Sequence, residues 1–140
     1  MYIKRKAENY LEKWLASNKI LLILGARQVG KTTLIKHFLQ DKKAVFVNLD
    51  IESEKAKFIA LSSLSPAEAM KGFGEPDFLV VDEAQRLKDA SRIVKGWHDF
   101  GILTKVILLG SSSMNLLNQS AEALTGRNEK IFLPQLNFYE

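Results

Sequence analysis

Gly25-Ala26-Arg27-Gln28-Val29-Gly30-Lys31-Thr32 follows directly on the apolar run Ile20 to Leu24 and leads into a segment with Leu34, Ile35, Phe38 and Leu39 on one helical face. The eight residues match G-x-x-x-x-G-K-[ST] in full. Each fixed position has a physical task. The glycines let the backbone turn tightly and come close to a phosphate. The loop N–H groups and the start of the following helix favour negative charge there. Lys31 reaches the β- and γ-phosphates as a point charge, and the Thr32 hydroxyl suits Mg²⁺. At average glycine usage, chance places this pattern in roughly half a percent of chains of this length. The strand–loop–helix setting makes coincidence rarer still. Residues Gly25, Ala26, Arg27, Gln28, Val29, Gly30, Lys31, Thr32 and Thr33 are therefore the expected phosphate-binding set.

Working outward, Ile20 to Leu24 reads as a strand buried on both faces, as parallel strands are. Ala44 to Leu49, Phe78 to Val81, Leu103 to Leu109 and a short Ile131 to Leu133 read as four more strands. Between them lie helical patterns at Lys31 to Leu39, in pieces over 51–74, at Asp89 to Phe100 capped by Gly101, and at Met114 to Thr125 capped by Gly126. An N-terminal helix carries Ala7, Tyr10, Leu11, Trp14 and Leu15 on one face, with Tyr10 and Trp14 expected in the core. Strands alternating with helices predict an α/β fold: a parallel sheet with helices on both faces.

The third strand ends in Asp82-Glu83. Ligands of open α/β sheets bind at the carboxyl ends of the strands, which sets Asp82 beside the phosphate loop to hold Mg²⁺ together with Thr32. A second acid next to a metal-binding one can orient and deprotonate water, so Glu83 is the expected general base, and with it hydrolysis rather than transfer to another substrate. The competing reading makes the pair favourable charge at a helix N-terminus. The fourth strand runs into Gly110-Ser111-Ser112-Ser113, where Ser111 is the candidate γ-phosphate sensor against an ordinary turn or cap. Arg127, after Gly126, is a candidate arginine finger against a surface ion pair. Asp50 is expected to cap the next helix, and His37 and His98 to be surface or packing residues. Tyr2 and Arg5 are weaker candidates for contact with a base.

The 140 residues fit one domain, and 46% hydrophobic with 26% charged residues is ordinary for a folded soluble protein. No cysteine is present, which excludes disulfides and thiolate zinc sites and agrees with a cytoplasmic setting. No apolar run is long enough to span a bilayer. The net charge of +4 permits nucleic acid as a partner, but Lys4-Arg5-Lys6 and Lys42-Lys43 carry no interleaved aromatics.

Taken together, the Gly25–Leu34 run, Val80-Val81-Asp82-Glu83-Ala84-Gln85, Gly110-Ser111-Ser112, Leu124-Thr125-Gly126-Arg127 and the terminal Leu133-Pro134-Gln135-Leu136-Asn137-Phe138-Tyr139-Glu140 resemble the prokaryotic AAA-type ATP-binding proteins. The resemblance implies a three-layer P-loop NTPase fold with sheet order 5-1-4-3-2. It implies ATP and Mg²⁺ as cofactors, with Lys31 and Thr32 on phosphate and metal, Asp82 on Mg²⁺ and Glu83 as base. It also implies that residues 1–140 are the ATPase core and that a helical lid and a C-terminal effector domain follow in the family. Slow ATP hydrolysis driving that domain is the expected function. The alternatives are a nucleotide-dependent switch with little turnover and, less favoured, a nucleic-acid motor or loader. A homo-oligomer is among the expected partners, and Arg127 is open to acting in cis, in trans or not at all. One departure bears on Ser111: the family's Thr before Gly-Ser is Leu109 here.

Overall fold

The computed structural model describes residues 2–25, 30–111, 124 and 126–133. Five parallel strands form one sheet: β1 (Ile20–Gly25), β2 (Ala44–Asn48), β3 (Phe78–Asp82), β4 (Lys105–Gly110) and β5 (Asn128–Leu133), in the order β2-β3-β4-β1-β5. Read from the other edge this is 5-1-4-3-2, as the resemblance implies. All five strands are parallel, and β1, in the interior of the sheet between β4 and β5, is buried along its whole length. An apolar residue at every position is the pattern such a strand requires.

The side-chain period of two splits the core into two layers. Leu22, Leu24, Val47, Leu79, Val81 and Leu108 face one way, where α3 (Glu52–Ser62), α4 (Pro66–Gly72) and α5 (Ala90–Phe100) supply Phe58, Met70, Val94 and Trp97. Leu21, Ile23, Val80, Ile107 and Leu109 face the other way, against Ala7, Leu11 and Trp14 of α1 (Tyr2–Leu15) and Leu34 and Ile35 of α2 (Lys31–Phe38). In the first layer Phe58 and Trp97 meet edge-on with ring centroids 5.5 Å apart, and Phe73 stands 5.9 Å from Trp97.

Local chemistry marks the element ends. Ser65 accepts from the Glu68 N–H ahead of Pro66 and opens α4, while Gly101 (φ 93°) closes α5 in the left-handed conformation that glycine adopts without strain. At the outer strand β2, the Leu49 N–H donates inward to the Asp82 carbonyl, and the Asn48 N–H donates to Glu54 Oε1 at 2.9 Å.

Four expectations need correction. Tyr10 is 40% exposed, its hydroxyl donating to Glu129 Oε2 at 3.0 Å, because the amphipathic tyrosine keeps its polar end at the surface. Leu103 precedes β4 and is almost wholly exposed. The strand begins at Lys105, whose N–H is the first to bond across to Asp77. Asp50 does not cap α3. The residue before that helix is Ile51, with no side-chain cap, and Asp50 lies 3.3 Å from Arg86 Nε. Strand β5 starts three residues earlier than expected, its pairing with β1 running from Asn128. The helix expected at Met114 to Thr125 lies outside the described residues, apart from the buried Leu124.

Because Phe58 is fully buried in the aromatic layer and Ile59 beside it is 45% exposed, adjacent substitutions should separate sharply. Phe58→Ala should lower unfolding free energy by about 3–5 kcal/mol, the usual range for an emptied core aromatic, and Ile59→Ala by well under ~1 kcal/mol. Urea denaturation of the two variants checks this, and similar losses would contradict the layer assignment.

Candidate functional site

The parallel register brings the carboxyl ends of β1, β3 and β4 level. Leu24 pairs with Gly110, Asn48 with Asp82, and Val81 with Leu108. Gly25, Asp82 and Ser111 therefore emerge at one end of the sheet, and α2 starts there too. Gly30, at φ 80°, turns the chain into α2 in a conformation costly for any residue with a side chain.

Lys31 is the first residue of that helix and is only 5% exposed. Its Nζ donates to the Gly25 carbonyl at 3.2 Å, closing the loop across its own neck. Burial lowers the Lys31 pKa from its ordinary value, and the opposing influence of the Glu83 and Asp82 charges favours the ammonium. Thr32 Oγ1 donates to Asp82 Oδ2 at 2.7 Å. The other carboxylate oxygen, Oδ1, accepts the Glu83 N–H at 2.8 Å. Thr33 is exposed on the same first turn.

Glu83 does not begin an α-helix. It takes a left-handed backbone (φ 55°, ψ 45°) and precedes a short 3₁₀ turn, Ala84–Arg86. Its Oε2 accepts from Gln85 Nε2 at 2.9 Å, and Gln85 Oε1 accepts the Ser111 N–H at 3.2 Å. A continuous line of hydrogen bonds thus runs Thr32–Asp82–Glu83–Gln85–Ser111, crossing from α2 past β3 to β4. Gln85 is the member that sequence reasoning passed over. The only signal was an amide two residues beyond the acidic pair, which gains meaning once the 3₁₀ turn brings it back beside Glu83.

Ala26, Arg27, Gln28, Val29 and Ser112 lie outside the described residues. Arg127 is brought elsewhere. Its carbonyl accepts the Ile20 N–H at 2.8 Å, so it sits at the amino end of β1 and β5, and its Nε donates to Asp99 at 2.7 Å. That contact holds the Asp99 carboxyl below its usual range. Six strand residues separate this end from Gly25, about 20 Å at strand rise, so Arg127 cannot serve as a finger for the phosphate loop of its own chain.

The oxygen donors fit a hard cation. A hydroxyl and a carboxylate oxygen already converge, and Mg²⁺ takes few protein oxygens, completing its shell with phosphate and water. Among the described residues no three His, Cys, Asp or Glu side chains group to hold a metal. None of the described helices is long and apolar enough to cross a membrane.

Comparison with known proteins bears on the family and the fold. The family profile described as "AAA domain" matches residues 17–140. The protein MJ1544 of Methanocaldococcus jannaschii is 33% identical over 138 residues, covering 93% of this chain and 30% of its own length, so the chain spans about a third of that relative. A 46-residue stretch is 46% identical to the ATP-binding protein MJ0423 of the same organism, covering 31% of this chain and 78% of that protein. Among solved structures, the Walker-type ATPase PABY2304 of Pyrococcus abyssi superposes with a TM-score of 0.63 at 18% identity, over 99% of this chain and 54% of that one, which shows a shared fold. With a 5-1-4-3-2 parallel sheet, a glycine-turned loop opening α2 and a family match across nearly its whole length, the chain belongs to the AAA-domain family of P-loop ATPases.

Proposed function

We propose that this chain binds Mg-ATP at the carboxyl end of its sheet and hydrolyses it slowly, driving a conformational change in a domain outside residues 1–140. The observation that carries the reading is the convergence of Lys31, Thr32, Asp82 and Glu83 at one strand end, with Thr32 and Asp82 in direct contact. The Gly25–Thr32 loop and the first turn of α2 would offer N–H groups to the phosphates, and Lys31 would exchange its Gly25 carbonyl for a phosphate oxygen. Thr32 and Asp82 would hold Mg²⁺, which when bound neutralises charge on the phosphates. Glu83 would take the proton of the attacking water as its oxygen bonds to the γ-phosphorus and the bond to the ADP oxygen breaks. The rate is expected to be slow because Arg127 is turned away from this site, and an arginine at the transition state is worth about 10³ to 10⁵ elsewhere.

The buried ammonium supplies the first test. Lys31→Met, apolar and similar in volume, removes the ammonium that donates to the Gly25 carbonyl and keeps the side chain's bulk, so a variant that still folds isolates the charge. Mg-ADP at a hundredfold excess over its Kd should stabilise wild type by about 2.7 kcal/mol through mass action and leave the variant unmoved. Thermal melts with and without nucleotide decide it. An equal ligand shift in both proteins removes Lys31 from the site.

The acids supply the second. Glu83→Gln should bind ATP as wild type does and lose hydrolysis by about 10² or more, the usual scale of a missing general base. Asp82→Asn should weaken binding and turnover together, because the amide lacks the carboxylate charge that would hold Mg²⁺ beside Thr32. Single-turnover assays at high protein concentration separate the two patterns. A Glu83→Gln chain as fast as wild type would favour the switch over the enzyme.

A further inference from the structure

Glu83 and Glu75 are the non-glycine residues with positive φ among the described ones. A left-handed backbone at a residue bearing a side chain is unfavourable and persists only where neighbouring contacts hold it, often at functional positions. The contacts at Glu83 are specific. Its N–H donates to Asp82 Oδ1, its carbonyl accepts the Arg86 N–H at 3.0 Å, and its carboxylate accepts from Gln85. Gln85 is half-buried and uses both ends of its amide. A backbone N–H can only donate, so the end facing Ser111 must be the carbonyl. The NH₂ then faces Glu83, whose Oε2 accepts from it. The orientation of the amide follows from its partners.

We propose that Gln85 is a positioning residue for hydrolysis: it fixes the Glu83 carboxylate by one oxygen and ties that orientation to the backbone at the end of β4. This rests on the reading of Glu83 as general base. With one N–H donor fixed on Oε2, the amide sets the plane of the carboxylate and therefore how it faces the attacking water. The far end of the same amide sits on Ser111, two residues past the Leu109 that faces α1 and α2 and next to the Gly110 that pairs with β1. A ligand that moves the backbone at Ser111 therefore moves the amide and with it the base. The link runs through the Ser111 N–H, so it does not need the serine hydroxyl.

A double-mutant cycle tests this in single-turnover ATP hydrolysis, with nucleotide affinity measured alongside. Gln85→Leu should slow the chemical step about tenfold, less than the loss of the base itself, while ATP affinity stays within about twofold of wild type. Gln85→Glu keeps an acceptor for Ser111 but sets a carboxylate oxygen against Glu83 where a donor stood, so it should slow hydrolysis at least as much in a chain that melts normally. In the Glu83→Gln background Gln85→Leu should have no further effect, because a residue acting through Glu83 has nothing left to position. A multiplicative loss in the double variant, or a Gln85→Leu chain as fast as wild type, overturns the positioning role while leaving Glu83 as base. If instead wild type shows no hydrolysis, or Glu83→Gln matches it, the catalytic reading fails and the positioning role fails with it.

Discussion

The parallel pairing of β1 with β4 and β5 is the constraint from which the rest of this molecule follows. A strand paired on both sides and buried on both faces cannot turn back on itself. The chain leaving Gly25 must cross over through a helix, and it must leave at the carboxyl end. The same rule applies to β3 and β4, so the ends of three strands are delivered to one edge in matched register. Chemistry can be concentrated there because the sheet interior is entirely apolar and leaves no other place for charge. Lys31 is the exception: a buried cation at this strand end that donates to the Gly25 carbonyl and lies under the influence of the Asp82 and Glu83 charges.

This arrangement explains which parts were legible in the sequence. The uninterrupted apolar runs of β1, β3 and β4 admit one reading, and the residues terminating them are fixed by where such runs can end. Lys31, Thr32 and Asp82 were readable because motif and strand end coincide. Tyr10 and Leu103 were not, since helical spacing and hydrophobicity do not say whether a ring keeps its hydroxyl at the surface or where a strand's first hydrogen bond falls. Asp50 has the chemistry of a cap, but a tertiary partner, Arg86, competes for it. Of the two readings open for Arg127, the ion pair is the one seen within the chain, because the residue reaches the amino end of the sheet, where Asp99 lies. Gln85 was invisible for another reason: its role depends on the backbone of Glu83 entering a region that acidic residues seldom occupy, and nothing in the local pattern announces that.

The two ends of the sheet also differ in kind. At the carboxyl end, polar side chains bond to one another in a line that spans three elements. At the amino end, contacts are mostly side chain to backbone: Lys105 to the Ser17 carbonyl, Trp14 Nε1 to the Lys19 carbonyl, and His98 Nε2 with the Asn18 carbonyl. These fasten α1 and α5 to the start of the sheet.

The Glu54 contact at β2 has a bearing on how such chains behave in a crowded solution. Since the Leu49 amide points inward to β3, the adjacent Asn48 amide points out along the open border of the sheet, where an extended segment from another molecule would first dock. Glu54 already occupies that donor from the first turn of α3. An incoming strand would have to expel a carboxylate held by both an N–H group and a helix terminus before it could extend the sheet, so β2 is defended against self-association by a charge that also helps start its neighbouring helix.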